Sequence, residues 1–537
     1  MTADKGAVAR SFSVRPAIPS LIRAALAAAG LAAAQPTLAQ ALHVTASASA
    51  QATYTSNVDF GTTGSARQSD LVGSVTGTVG VTGGSETLQL SGNIAVTGLV
   101  DAHGNFTGTI APVGSIGGTY KAIDNFLYVD ASATFSQNYV SPLGAQPRDI
   151  VNDTSNRYTS QAYNFAPYIR GVLPGNVSYL VRDQNTWTDS SNIGSTAAKP
   201  PVTYANTASA NLTSTSGRIG WTVDYNRSYY DSGVLDGTSV TETLRAALPI
   251  RITDELVAGP RAGYERDRFL GSSVHSSIYG VQAMWTPTDR TSVNGFWEHR
   301  FFGTGYQLSV SHRLPRIALT ASFTRDLSNY PQIALTLPAS ENVSSFVDAA
   351  LRTRIPDANE RAIAVQQFLA RSGLPGTLFG PVNFFSTTFL LQTSETLSAA
   401  WLGLRNSVTV TLFRVRSSSV TDQDQALLGT FIPEELQFNP NNTQIGMGVS
   451  YSRTLTPTTS AGVSASTSRV TSDTGDLTGG VSRATNANLA ANLSTQLTPR
   501  TTGSVGTGYS WYAPSGGSDV HRSSAWNIFA AISHTFR

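Results

Sequence analysis

The residues best suited to chemistry are charged side chains in the middle of the chain, each flanked by apolar residues of the same short stretch. Arginine beside a carboxylate can form an ion pair, and rings of such groups can select solutes by charge in a narrow pore. Two interpretations stay open: ion pairs that brace a wall, or a selective path for an anionic or sugar substrate. The members of this predicted charge cluster are Arg170, Asp224, Arg245, Arg261, Glu265, Glu298, Arg300 and Arg313.

Other chemical signatures are weak. The chain has no cysteine, which excludes disulfides, thiolate metal sites and cysteine nucleophiles. Its seven histidines show no spacing typical of metal ligands, and no serine lies in the G-x-S-x-G turn that precedes a helix in hydrolases. We therefore expect no catalytic residue, no metal site and no cofactor, and we do not expect an enzyme.

The composition fits neither a cytosolic protein nor a bundle of membrane helices. Charged residues make up only 13% of the 537 residues, about half the roughly 25% of a typical soluble domain. The hydrophobic fraction is also modest, at 40%, and the chain contains 47 glycines. A closed transmembrane β-barrel accepts this combination, because each strand has one lipid-facing side and one wet side.

Strands are the elements that must position the charged residues, because apolar and polar residues alternate along most of the chain. Runs such as Val44–Tyr54 and Ala487–Leu497 match the roughly 9–11 residues that a tilted strand needs to cross a membrane. Short Gly- or Pro-containing turns alternate with longer polar loops, for example 55–69, 141–154, 189–202 and 418–441. The pattern predicts an all-β antiparallel barrel of about 22 strands (roughly 20–24), with both termini on the periplasmic side.

The first 41 residues have the features of a secretory signal peptide. Basic residues precede an Ala/Leu run, and Ala39-Gln40-Ala41 forms a cleavage site of the A-x-A type. Removal of residues 1–41 leaves 32 basic and 33 acidic residues, a net charge of −1, from the 36 and 34 of the whole chain. The positive excess is therefore discarded, and nucleic acid is not an expected partner. Residues 42–537 form the predicted barrel.

The last strand carries a signal of its own. Its apolar residues alternate to the end of the chain, with an aromatic residue next to the last position, as in strands that the outer-membrane assembly machinery recognises. The residues of this predicted assembly signal are Trp526, Ile528, Ile532 and Phe536. An ordinary edge strand is the alternative.

One segment breaks the β pattern. Between residues 340 and 376 the apolar period becomes helical, and Pro356 divides the segment into two predicted helices. Strand parity places this helical hairpin on the external side. It could close the mouth as a plug or lid, or it could be a loop decoration that packs on itself.

The opening strand, Gln51-Ala52-Thr53-Tyr54-Thr55-Ser56-Asn57-Val58, resembles that of an outer-membrane β-barrel family associated with the PEP-CTERM/exosortase system. The segment Arg354-Ile355-Pro356-Asp357 and the turn Gly403-Leu404-Arg405-Asn406 also resemble this family. The resemblance implies a place in the outer membrane of a Gram-negative envelope and an association with exopolysaccharide production. It supplies no catalytic residues.

Together these observations predict a porin-like protein of the cell outer membrane. The favoured function is a channel or accessory component for exopolysaccharide export or surface anchoring. A passive structural or docking barrel is the alternative, and an outer-membrane hydrolase is less favoured. The expected partners are outer-membrane lipid, the outer-membrane assembly machinery, and exopolysaccharide or its export components.

Overall fold

A computed structural model describes the chain from residue 42 to residue 536, with internal gaps. The described residues are 42–60, 67–102, 109–154, 156–192, 200–215, 217–233, 238–269, 272–335, 347–348, 351, 355, 361, 364–365, 380–387, 389–420, 441–472, 482–516 and 521–536. The predicted signal peptide, residues 1–41, and most of the predicted helical hairpin, residues 340–376, lie outside them. The described positions 347–348, 351, 361 and 364–365 are helical.

The described chain is built almost entirely from β-strands; besides the isolated helical positions above, it includes a short helix, α1, at Tyr330–Leu335. No helix among the described residues is long and apolar enough to cross a membrane. The strands are β1 Leu42–Thr55, β2 Asp70–Gly84, β3 Leu88–Asp101, β4 Ile110–Ile123, β5 Leu127–Tyr139, β6 Arg157–Leu173, β7 Val177–Asn192, β8 Thr203–Ser214, β9 Trp221–Asp231, β10 Thr238–Ala247, β11 Ile250–Arg251, β12 Leu256–Phe269, β13 Ser272–Thr288, β14 Thr291–Arg300, β15 Gly303–Arg313, β16 Ile317–Ser328, β17 Leu390–Leu402, β18 Asn406–Ser419, β19 Asn442–Thr456, β20 Thr459–Ser472, β21 Arg483–Thr498, β22 Thr501–Ser515 and β23 Ser523–Phe536.

The sheet closes on itself. Successive strands pair in antiparallel fashion, and β1 pairs with β23 from Ala46↔Phe536 to Thr55↔Asn527. The two-residue β11 only extends the edge of β12, and β10 pairs directly with β12. The barrel therefore has 22 full strands and one short additional strand, which confirms the predicted fold class.

The outer face of the barrel is apolar and exposed. On β2, the side chains of Leu71, Val75 and Val79 are 57%, 62% and 56% exposed. They alternate with residues such as Ser74 and Thr76, which face inward. The residues of the predicted assembly signal, from Trp526 to Phe536, lie on the same outer face of β23. Exposure of so much apolar surface to water would be unfavourable, so the outer face contacts lipid. The chain is therefore a transmembrane barrel of the outer membrane.

The two ends of the barrel differ as the sequence predicts. At the periplasmic end, which carries Leu42 and Phe536, tight turns join the strands, and two of them use left-handed asparagines, Asn125 and Asn176, at φ 56° and 57°. Such a conformation suits the short turns of twisted hairpins, because asparagine tolerates positive φ better than most residues. The long connections, such as 140–156 and 420–441, all lie at the external end.

The buried core lies inside the barrel, not between two sheets. A barrel of this size encloses more space than its wall side chains can fill. Two external connections fold back into that space. The sequence predicts a polar loop at 141–154. In the structure, residues 140–156, here called the inner loop, fold inward, and Leu143 and Ala145 pack with Tyr512 on β22 and Ala525 on β23. The ends of the β16–β17 connection form a second such cluster around Tyr330.

Candidate functional site

The cross-strand register decides which side chains face the lumen. Residues that pair across neighbouring strands lie on the same face, and faces alternate along each strand. On β12 the exposed Tyr264 marks the outer face, so Arg261 and Glu265 point inward. The same alternation places Arg245 on β10 and both Glu298 and Arg300 on β14 in the lumen.

Glu298 is the centre of one half of the charge cluster. Its two carboxylate oxygens accept hydrogen bonds from Arg245 Nε at 3.1 Å and Nη2 at 2.8 Å. Arg261 Nη2 lies 3.2 Å from Glu298 Oε2, the oxygen that Arg245 Nε also contacts. The guanidinium of Arg261 also stacks over the ring of Phe296, at 4.1 Å from the ring centroid. Three strands are thereby tied together across the wall.

Arg300 is the centre of the other half. Its Nε donates to Glu265 Oε2 at 2.8 Å and its Nη1 donates to Asp326 Oδ1 at 2.6 Å. The second oxygen of Glu265 accepts the backbone N–H of Phe301 at 2.6 Å. Arg300 Nε also lies 3.8 Å from Glu298 Oε1, so the two halves meet. We call Arg245, Arg261, Glu265, Glu298, Arg300 and Asp326 the wall network.

Burial encloses the centre of the wall network, whereas Asp326 at its end is exposed. Glu265 is 0% exposed, Glu298 is 1% and Arg300 is 4%. Buried charges persist only when they are paired, because desolvation of each ion costs several kcal/mol. Both Glu298 and Arg300 form their hydrogen bonds with partners in the wall. The geometry therefore favours bracing over direct solute selection for this part of the predicted cluster.

Of the remaining predicted residues, Arg170 and Arg313 lie apart from the wall network, whereas Asp224 borders it as the cross-strand neighbour of Arg245. Arg170 stacks over the Tyr128 ring at 4.3 Å, close to the periplasmic turn after β6. Asp224 accepts a hydrogen bond from Asn211 Nδ2 at 2.5 Å. Arg313 donates to the carbonyl oxygen of Asp289 at a periplasmic turn, at 2.8 Å. The alternation of apolar and polar residues correctly predicted that these three residues lie on strands, but it gives no information on their height along the barrel axis.

Several charged groups of the lumen were not predicted. Asp326 completes the wall network, Asp130 forms a separate ion pair with Arg182 at 2.7 Å, and Asp267 is 0% exposed on the inner face of β12. The signal for Asp326 was present, because it alternates with the apolar outer residues of β16. Among the described residues, no group of three or more histidines and carboxylates could hold a metal ion.

The rest of the lumen wall, from β17 through β23 to β3, carries almost no charge. Along the described strands β17 to β23 and β1 to β3, inward positions carry formal charge or histidine only near the strand ends, at His43, Asp70 and Asp101. Hydroxyl and amide side chains dominate this surface, which we call the hydroxyl wall. Representative members that are not buried are Ser49, Thr76, Thr97, Ser464, Asn488 and Ser494.

Members of the hydroxyl wall bond to each other along the sheet. Thr76 and Thr97 share a hydrogen bond of 2.8 Å, and Ser510 donates to Asn488 at 2.7 Å. Hydroxyl and amide groups both donate and accept hydrogen bonds. Each can therefore replace its bond to a neighbouring side chain with a bond to water or to another hydroxyl group. This wall can therefore contact a polyhydroxylated molecule without a fixed charge.

The inner loop enters the lumen and attaches to the hydroxyl wall. Its Asn152 is 0% exposed; it donates to Thr55 Oγ1 and to the carbonyl of Asn57, both at 2.9 Å, and accepts from Asn527 at 2.6 Å. Further along the wall, Asn486 Oδ1 accepts the backbone N–H of Gln146 at 3.0 Å. The loop leaves from β5 and reaches β1 and β21–β23, so it narrows the passage.

The β16–β17 connection narrows the lumen from another side. The hydroxyl of Tyr330, in α1, lies 3.0 Å from that of Tyr158, and burial raises the pKa of Tyr330. Phe385 packs edge-on against the Tyr330 ring, at 5.4 Å between centroids. At residue 382 the backbone exchanges two hydrogen bonds with the Gln444 amide, at 3.0 and 3.1 Å. This connection therefore contacts both β6 and β19.

Comparison with known proteins adds likenesses of overall shape. No family profile and no curated protein matches the sequence. The siderophore receptor PirA from Pseudomonas aeruginosa is 8% identical, over 92% of this chain and 80% of that one, with a TM-score of 0.40. The FrpB iron transporter from Neisseria meningitidis (F3-3 variant) is 10% identical over 92% and 82%, with a TM-score of 0.44. The outer membrane protein opdK from Pseudomonas aeruginosa is 10% identical over 92% and 98%, with a TM-score of 0.32. At these scores the likenesses assign no ligand and no activity.

Proposed function

We propose that the protein is an outer-membrane channel for uncharged, polyhydroxylated molecules, and that it serves exopolysaccharide export or surface anchoring. The single observation behind this proposal is the hydroxyl wall, which continues over the inner face of ten neighbouring strands. Sugar hydroxyls both donate and accept hydrogen bonds, as do the serine, threonine and asparagine side chains of the wall.

Weak, repeated contacts suit transport better than one tight site. A channel must bind its substrate enough to admit it and loosely enough to release it. A row of exchangeable hydroxyl groups meets this condition, since each bond to a sugar replaces a bond of similar strength to water. The arginines of the wall network are already paired with its carboxylates, so the network does not bind an anionic polymer strongly.

The resemblance of the opening strand to barrels of the PEP-CTERM/exosortase system supports the choice of exopolysaccharide as the substrate class. Contacts with the polymer or with its export components belong to the same proposal.

Single-channel recording in a planar bilayer tests the channel. The purified protein should conduct ions with weak charge selectivity, and neutral oligosaccharides added to one side should block the current reversibly. A sulfated oligosaccharide of the same length is the matched control and should block less. A channel that is blocked only by the sulfated compound would contradict the proposal.

A passive docking barrel is the second candidate, and one observation favours it. Two connections bridge the lumen, and Glu265 and Glu298 are fully buried inside it, so a large part of the interior is filled. Recording with and without residues 340–376 separates the candidates. Absence of current in both proteins, with barrels that fold normally, would leave the passive role.

A further inference from the structure

The apolar outer face is interrupted by charged residues on β7 and β9. The outward positions of β7 include the exposed Val181 and, two residues later, Asp183, which is exposed as well. Asp183 pairs with Ala208 on β8, and Ala208 pairs with Arg227 on β9, which is also exposed. Because residues that pair across neighbouring strands share a face, both Asp183 and Arg227 point towards the lipid.

Three polar side chains form a hydrogen-bonded group around the Asp183 carboxylate. Asn185 Nδ2 donates to Asp183 Oδ2 at 2.8 Å, and Asn206 Nδ2 donates to Asp183 Oδ1 at 2.7 Å. The Tyr204 hydroxyl donates to Asn185 Oδ1 at 2.6 Å. These bonds hold the carboxylate in place, but amide and hydroxyl groups carry no charge that neutralises it. We call Asp183, Asn185, Asn206, Ala208 and Arg227 the belt patch.

The carboxylate of the belt patch lies deep in the apolar belt. Asp183 is four residues from Tyr179 on one side and four from Trp187 on the other, on the same face of β7. The rings of Trp187, Tyr204 and Tyr229 follow one another at 5.5 and 6.0 Å between centroids, a row typical of the girdle at the membrane surface. Four residues of a strand tilted by about 40° span roughly 10 Å along the membrane normal, in an apolar band about 25 Å tall. Asp183 therefore lies near the middle of the hydrocarbon.

The two charges of the belt patch are not neutralised within the described part of the chain. Asp183 and Arg227 are separated by two strand spacings, about 10 Å, and neither forms an ion pair with a described residue. Glu242 pairs with Arg227 in the register, but its Oε1 accepts the Tyr225 hydroxyl at 2.7 Å and no ion pair joins Glu242 to Arg227. A charged side chain that faces acyl chains is unfavourable, so such residues are normally paired with one another. The belt patch therefore needs a partner from outside the barrel.

A second copy of the chain fits the belt patch. One anion and one cation lie on either side of β8, whose outward residues between them are the small Ala208 and Ala210. A two-fold axis along the membrane normal through β8 places Asp183 of each copy opposite Arg227 of the other. Strand tilt raises Arg227 by about 6 Å above Asp183 along the normal, and a long arginine side chain can span that difference. The small residues at the axis let the two walls approach closely.

We infer that two copies of the chain associate side by side in the membrane through the belt patch, with reciprocal ion pairs between Asp183 and Arg227. Lipid makes each pair stronger than it would be at an aqueous surface, because the surrounding dielectric constant is low. The interface is independent of any transport through the lumen.

Cysteine cross-linking in vesicles of neutral lipid tests where the copies meet. The chain has no cysteine, so a single introduced thiol reports on its own position. In A208C the two thiols meet at the two-fold axis, and oxidation with copper phenanthroline should give a disulfide-linked dimer. The matched control is A465C, because Ala465 is exposed on the outer face of β20, on the opposite side of the barrel. Retarded mobility of unheated protein in gel electrophoresis verifies that each barrel is folded.

Sedimentation equilibrium in density-matched detergent measures the affinity without a thiol. We expect at least tenfold weaker association of D183R and of R227D, because each variant places like charges opposite each other. The double variant D183R/R227D restores opposite charges and should recover the wild-type affinity to within about threefold. D183N keeps the shape of the side chain and should weaken association in the same direction. The control A465R adds an arginine to the opposite side of the barrel and should associate as the wild type does.

Several results would overturn the inference. One is a wild type that stays monomeric in detergent and an A208C protein that does not cross-link in vesicles. Another is equal cross-linking of A208C and A465C, which would reflect random collision. Association that is unchanged in D183R and R227D would show that the copies meet elsewhere. Capture of a different envelope protein by A208C in whole outer membranes, in place of a second copy, would assign the belt patch to another partner.

Discussion

Replacement of Glu298 by glutamine should destabilise the barrel more than any other single loss of a carboxylate in the wall network. The carboxylate is 1% exposed and neutralises Arg245 and Arg261 at 2.8 to 3.2 Å, with Arg300 Nε at 3.8 Å. Glutamine keeps the shape but leaves buried guanidinium groups without their counter-charge. Breaking a buried pair in this way costs about 3–5 kcal/mol.

The measurement is urea unfolding of the protein in lipid vesicles, followed by tryptophan fluorescence. Glu395→Gln is the matched control, because this carboxylate belongs to an exposed pair of 3.9 Å and such pairs contribute about 0–1 kcal/mol. E298Q should therefore unfold at a clearly lower urea concentration than E395Q. Equal midpoints for the two variants would refute the conclusion that the wall network braces the barrel.

Three further predictions concern the passage. Arg261→Gln should leave ion selectivity in planar bilayers unchanged, because this side chain faces the buried Glu298; a shift in reversal potential would instead favour a selective path. Asn152→Ala removes the buried anchor of the inner loop at a cost of about 1–3 kcal/mol, so it should increase conductance and speed proteolysis within residues 140–156. Burial raises the pKa of Asp153 in the same loop, so docking of the loop should be strongest at low pH and weaken as the pH rises through that pKa. Proteolysis of the loop should accordingly slow on acidification, and Asp153→Asn should abolish that pH dependence; an unchanged profile in this variant would show that another group titrates.

The charge cluster was predictable only in part. Five of its eight predicted members, from Arg245 to Arg300, meet in the wall network because alternation assigns each to the inner face. Alternation gives no height, so it could not separate Arg170 and Arg313, which lie near periplasmic turns. Nor could it rank Asp326 above other polar residues of β16, since its partner lies on another strand.

The sequence alone determined the fold class, the approximate strand number and the outer face. The reason is that contact with lipid is a local property: each strand must present apolar residues at every second position, whatever its neighbours are. Only the tertiary structure decided how the lumen is filled. The inner loop is held by contacts such as Gln146 to Asn486, which are 340 residues apart. Such contacts arise after closure of the barrel brings distant walls face to face, and no periodicity within one segment encodes them.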